Sequence, residues 1–62
     1  MKIKEGDKEY TINTMSNWPL ILDLFIKWGY DAPNKEEEIT VTNVDTIVDE
    51  LGAWGIPWKR NF

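Results

Sequence analysis

Carboxylates are the most abundant chemical groups on this chain. Its 62 residues include eleven Asp and Glu against seven Lys and Arg, with no His and no Cys. Glu36, Glu37, Glu38, Asp45, Asp49 and Glu50 form a block with no base among them. Such a block can hold a divalent cation, present a solvated acidic face, or imitate a phosphate backbone. The spacing argues against the cation. The run 36–38 has neither EF-hand spacing nor a glycine at the turn position. Successive strand residues also point to opposite faces, so three carboxylates in a row do not converge on one ion. A solvated face is the plainer reading, and mimicry by Glu36, Glu38, Asp45, Asp49 and Glu50 is the sharper one.

Catalysis has few parts to work with. There is no Cys or His for a nucleophile–base pair, no glycine-rich phosphate loop, and Ser16 is the only serine, read here as a helix cap. Two carboxylates can act as acid and base, but so short a chain leaves little room for a substrate pocket of several hundred Å³. Without His and Cys, disulfides and nearly all zinc and copper sites are excluded. No enzyme, cofactor or metal is expected.

The aromatic residues carry the binding signal. Four Trp is a high count for this length. Trp28-Gly29-Tyr30 and Trp54-Gly55-Ile56-Pro57-Trp58 put large rings at helix ends, where they either meet a partner or close the seam between helices. The places of Trp28 and Trp54 on apolar stripes favour the core. Trp58 and Phe62 lie off any stripe. The tail, Trp58-Lys59-Arg60-Asn61-Phe62, mixes bases with aromatics as single-strand nucleic acid binders do. The net charge of −4 opposes direct nucleic acid binding, and rings docked on the core with charges in water is the plainer reading.

The elements that position these groups follow from periodicity. Residues 1–14 read as a hairpin turning at Gly6-Asp7, a type II′ loop. That loop sets Glu5 opposite Lys8, Lys4 opposite Glu9, Ile3 opposite Tyr10 and Met1 opposite Ile12. One face is then Met1, Ile3, Tyr10 and Ile12, and the other Lys2, Lys4, Glu9, Thr11 and Asn13. Residues 17–28 form a helix capped by Ser16 or Asn17, with Pro19 in its first turn, and Gly29 and then Asp31-Ala32-Pro33 after it. Trp18, Ile21, Leu24, Phe25 and Trp28 make its core stripe, Leu22 and Ile26 widen the stripe, and Leu20 lies beyond its other edge. Pro33-Asn34 marks a loop. Residues 37–41 form a short strand with Ile39 and Val41 on one face. Residues 43–54 form a second helix, capped by Thr42 or Asn43, with Val44, Ile47, Val48, Leu51 and Trp54 as its stripe. Gly55 and Pro57 end it, and residues 56–62 are a tail without periodicity.

The expected fold is α+β, a single small domain of order ββαβα, with a three-stranded sheet and two helices packed on one face. The third strand neighbours either the second or the first. The latter is preferred because every adjacent pair is then antiparallel. Residues 17–30 align without gaps on 43–56, pairing Asn17 with Asn43, Trp28 with Trp54 and Gly29 with Gly55. Duplication of a β-α unit and convergence of two capped amphipathic helices both account for this.

No apolar run is long enough to span a bilayer, and the longest carries Asp23. The N-terminus is charged and alternating, unlike a signal peptide. A soluble, cytoplasmic protein without membrane contact is expected. A chain this short buries only roughly 60% of its unfolded surface, and one layer cannot hide Leu20, Leu22 and Ile26 together. Either residues 58–62 fold over them or a second chain does. The expectation is therefore a non-enzymatic module that binds another protein stoichiometrically, through Leu20, Leu22, Ile26, Tyr30, Trp58 and Phe62. Small, acidic and Trp-rich composition suggests a phage or mobile-element inhibitor of a host protein. The alternatives are a homo-oligomer, in which the first helix meets its own copy, and an acidic nucleic-acid mimic.

Overall fold

The computed structural model describes residues 1–15, 17–31, 34 and 37–62. Ser16 as a cap, the stop at Ala32-Pro33, the Pro33 turn and Glu36 lie outside the described residues.

The chain opens on two strands, β1 (Lys2–Glu5) and β2 (Lys8–Ile12). Gly6 takes φ +58° while Asp7 keeps a negative φ, the sign pattern of a type II′ turn, whose twist matches that of the strands it joins. The register pairs Glu5 with Lys8, Lys4 with Glu9, Ile3 with Tyr10 and Lys2 with Thr11. Met1 and Ile12 close the open end through their backbones.

Helix α1 (Trp18–Lys27) follows, with Pro19 in its first turn, where a missing N–H costs nothing. Its first backbone bond runs from the Ile21 amide to the Asn17 carbonyl, and the Asn17 side chain makes no cap bond. Strand β3 (Glu38–Thr40), helix α2 (Val44–Ala53) and a further strand, β4 (Trp58–Arg60), complete the chain.

The expected three-stranded ββαβα arrangement is corrected to a four-stranded mixed sheet of order β3-β1-β2-β4. The tail is not featureless: β4 pairs antiparallel with β2, setting Trp58 on Ile12, Lys59 on Thr11 and Arg60 on Tyr10. The Asn61 amide extends the ladder to the Glu9 carbonyl, and its side chain bonds Glu9 and Thr11. The first strand does lie between the second and third, but β3 runs parallel to β1 and not antiparallel. β3 therefore begins at the same end of the sheet at which β2 finishes. The parallel crossover is made by α2, which spans the hairpin to link β3 and β4 at opposite edges.

Both helices end alike. Gly29 and Gly55 have positive φ, and their amides bond the carbonyls of Ile26 and Gly52, while Tyr30 and Ile56 reach back to Phe25 and Leu51. This is a Schellman stop, completed by apolar contact between the last residue of the motif and the helix. It explains the Trp-Gly correspondence of the two aligned segments by cap chemistry. The N-terminal ends do not correspond: Asn17 has φ −121° and Asn43 is left-handed at +57°. Trp54, expected on the buried stripe of α2, is 56% exposed; the helix has ended, and Ile56 is buried instead.

One core joins Ile3, Tyr10 and Ile12 of the hairpin to Ile21, Leu24 and Phe25 of α1 and to Val44, Ile47, Val48 and Leu51 of α2. The opposite face of the sheet is polar, carrying Lys2, Lys4, Glu9, Thr11, Glu38, Lys59 and Asn61. Gly52 sits inside α2, and a Cβ there meets Trp58 Nε1 at 3.5 Å, an ordinary contact. Gly52→Ala is therefore expected to raise the urea midpoint, by up to about 1 kcal/mol of stability from helix propensity. A lowered midpoint would show that the Trp58 ring cannot yield at all.

Candidate functional site

The closed end of the hairpin meets the start of α2. Glu5 and Lys8, paired across the turn, both point to the helix side. The Glu5 carboxylate accepts from the Asn43 and Val44 amides, 3.1 Å each. Asn43 occupies the N-cap position and its carbonyl takes the first helical bond, but its side chain makes no cap bond, and Glu5 supplies the acceptors from a distant part of the chain. The arrangement satisfies orphan amides and sets a negative charge at the positive end of the helix.

Asp45, in the first turn of the helix, accepts from Lys8 Nζ at 2.7 Å and from the Tyr10 hydroxyl at 3.1 Å. The bond from Lys8, then that from Tyr10, holds the Asp45 carboxyl below its ordinary value. The same bond raises Lys8, and burial, followed by the bond to Asp45, raises Tyr10. Perturbed groups of this kind can mark a catalytic site. Here each is accounted for by a partner that fastens helix to sheet.

The acidic residues are dispersed. Glu38 lies on the polar face of the sheet beside Lys4, at 3.4 Å. Asp45, Asp49 and Glu50 lie on α2, which packs against the opposite face. Glu50 accepts from the Trp28 indole at 2.9 Å and faces Lys27 at 3.7 Å. Asp49 is exposed. The structure does not bring Glu38 together with the acids of α2. Among the described residues no three acidic side chains are grouped to hold a metal ion.

The apolar residues divide into two groups. Leu20 and Tyr30 pack against the core, and the Tyr30 hydroxyl accepts from the Thr42 amide at 3.1 Å. Leu22 is half-buried, and Ile26, on the same outer side of α1, is 55% exposed. The other group is built by β4. Trp58 and Phe62 project from the helix side of that strand and meet the buried Tyr10 ring edge-on, with centroids at 5.1 and 5.4 Å. Trp58 nevertheless remains 40% exposed and Phe62 53%. Between them, the Arg60 guanidinium lies 4.9 Å from the Phe62 centroid, a cation–π contact. Arg60 and the exposed Met15 were not expected in this surface. The visible signal was the alternation of Ile56, Trp58, Arg60 and Phe62 against polar neighbours, with an arginine stem standing in for an apolar residue.

Two grooves flank these groups. One of about 190 Å³ lies between the end of α1 and the start of α2, lined by Trp28, Tyr30, Thr42, Asn43, Ile47 and Glu50. The other, about 390 Å³ and open, adjoins β4 and is lined by Thr11, Asn13, Met15, Pro57, Trp58 and Lys59.

The Asp45 contacts give a stability with two pH limits. A depressed Asp contributes stability that is present above its ordinary pKa and lost as pH falls; raised Lys8 and Tyr10 contribute stability that is present at neutral pH and lost as pH rises. Wild type should therefore exceed Asp45→Asn in urea midpoint across neutral pH. The difference should shrink below about pH 4 and again above about pH 10. Glu5→Ala should cost about 1 kcal/mol, as loss of an N-cap does, with amide exchange accelerating first at Asn43 and Val44.

No protein-family model, curated protein or solved structure matches this chain.

Proposed function

We propose that this protein is a non-enzymatic module that binds another protein stoichiometrically, through the aromatic end of β4. The observation that supports it most is the exposure of Trp58 and Phe62 around Arg60 at an edge strand, both rings held edge-on against the buried Tyr10. Trp and Arg are enriched among residues that dominate interface energy, because they bury large area and still offer donors. Edge-on packing against Tyr10 holds both rings in place, so little conformational entropy is lost on binding. Inhibition of a host protein by occupying its surface is the form of this activity that a small acidic chain suggests.

The test is capture by immobilised protein from extracts of the cells in which the gene occurs. Wild type should retain one protein at an equimolar ratio. Trp58→Ala and Phe62→Ala should each lose it while keeping the far-UV circular dichroism of the parent. Equal retention by wild type and both variants would overturn the assignment.

Ile26 favours a second reading, self-association through the outer side of α1, since it stands exposed beside half-buried Leu22. Light scattering after gel filtration decides this. A dimer that Ile26→Glu converts to monomer supports it, and a monomer at micromolar concentration excludes it.

A further inference from the structure

Building on the reading of β4 as a protein-binding edge, we infer that the partner is an extended acidic segment that adds to the sheet as a fifth strand beside β4. The backbone of β4 sets the geometry. Asn61 donates to the Glu9 carbonyl at 2.9 Å, and Asn13 donates to the Pro57 carbonyl at 3.0 Å. Residues 57 and 61 therefore turn their polar groups toward β2, and Lys59, midway between them opposite Thr11, does the same. The N–H and C=O groups of Trp58 and Arg60 face outward, with no further strand beside them among the described residues. Such an edge is a template for strand addition, in which the backbone supplies affinity and alternate side chains supply choice.

Charge selects the occupant. β4 carries Lys59 on the polar face and Arg60 on the helix side. Neither forms an ion pair with a carboxylate among the described residues, whereas Lys4, Lys8 and Lys27 each do. In a chain of net charge −4 this edge is locally basic. A second copy fits it poorly. Antiparallel pairing of β4 with itself over its full length sets Lys59 against Lys59, and like charges directly opposite are destabilising. Pairing with β3 of another copy offers Glu38, but Glu38 is already held by Lys4. That contact is also head-to-tail, which gives rings or open filaments rather than a two-fold dimer. An acidic strand from a different protein meets both bases without either cost. The open groove beside Pro57 and Trp58 can take one of its apolar side chains.

The probe is a short capped peptide with paired glutamates flanked by valines, so that a carboxylate stands on each face of its strand, titrated into the ¹⁵N-labelled full chain. Its controls are the lysine–valine counterpart and a version N-methylated at alternate residues. The expected result is saturable shifts centred on the Trp58 and Arg60 amides. Affinity should weaken about tenfold between low and moderate salt and about as much again in Lys59→Glu/Arg60→Glu. That variant changes only exposed side chains, and unchanged amide dispersion in the hairpin confirms its fold. Equal binding of the lysine–valine or N-methylated peptide overturns the inference, as does absence of shifts at Trp58 and Arg60 at millimolar peptide. Self-association of the chain through β4 also overturns it, in favour of a second copy. Capture of a partner that depends on Trp58 and Phe62 but not on Lys59 or Arg60 would leave the protein-binding reading standing and remove strand addition alone.

Discussion

The fold depends on the junction between the hairpin turn and the start of α2. Four side chains make it, and they come from three elements, β1, β2 and α2: Glu5 caps the helix, while Lys8 and Tyr10 hold Asp45. α2 is the crossover between the two edge strands, so fixing its first turn fixes where β4 begins. β4 in turn lays Trp58 and Phe62 against Tyr10, whose hydroxyl belongs to the same junction. One phenol thus links the start of the helix to the last strand. A domain of this size cannot rely on area alone, and charge-assisted bonds across the turn supply orientation that apolar contact does not. The left-handed Asn43 fits the same logic: its conformation aims two successive amides at one carboxylate.

What could be read from the sequence was local. The Gly6-Asp7 turn determines the hairpin register because the side-chain period is two, and a slip of one residue would put Ile3 on the face opposite Tyr10 and Ile12. The helix stops were legible because Gly after Trp is a backbone requirement of the Schellman motif. The cap on α2 was not legible, since Glu5 is 38 residues from Asn43 and nothing in the intervening chain announces the meeting. The direction of β3 was hidden for a similar reason. The return from α1 to β3 decides whether that segment crosses the sheet or comes back to the end it left, and periodicity says nothing of that choice. β4 left a trace in the alternation after Ile56, masked by Arg60 in a place where an apolar residue would have declared a strand.

The apolar helix α1 raised the question of what covers it. Its answer is partial. Leu20 turns into the core, Leu22 is half-buried and Ile26 stays in water. The tail does not fold over this side; it extends the sheet at the other end of the core. Exposure of Ile26 is explained by geometry alone, because a helix with apolar residues nearly all round, resting on a single sheet, must leave some of them uncovered.

The same explanation does not extend to β4. An edge strand needs neither Trp nor Phe to pair, and its usual protection is shortness and charge. β4 has that protection in its brief span and in Lys59 and Arg60. It adds two large rings that cover only part of themselves against Tyr10. Lysine and arginine on an edge disfavour a like strand and favour an acidic one. Ile26 is a residue the fold failed to hide; Trp58 and Phe62 are residues the fold holds in place while leaving them accessible. That difference in local packing, rather than exposure itself, is why we place the proposed binding surface on β4.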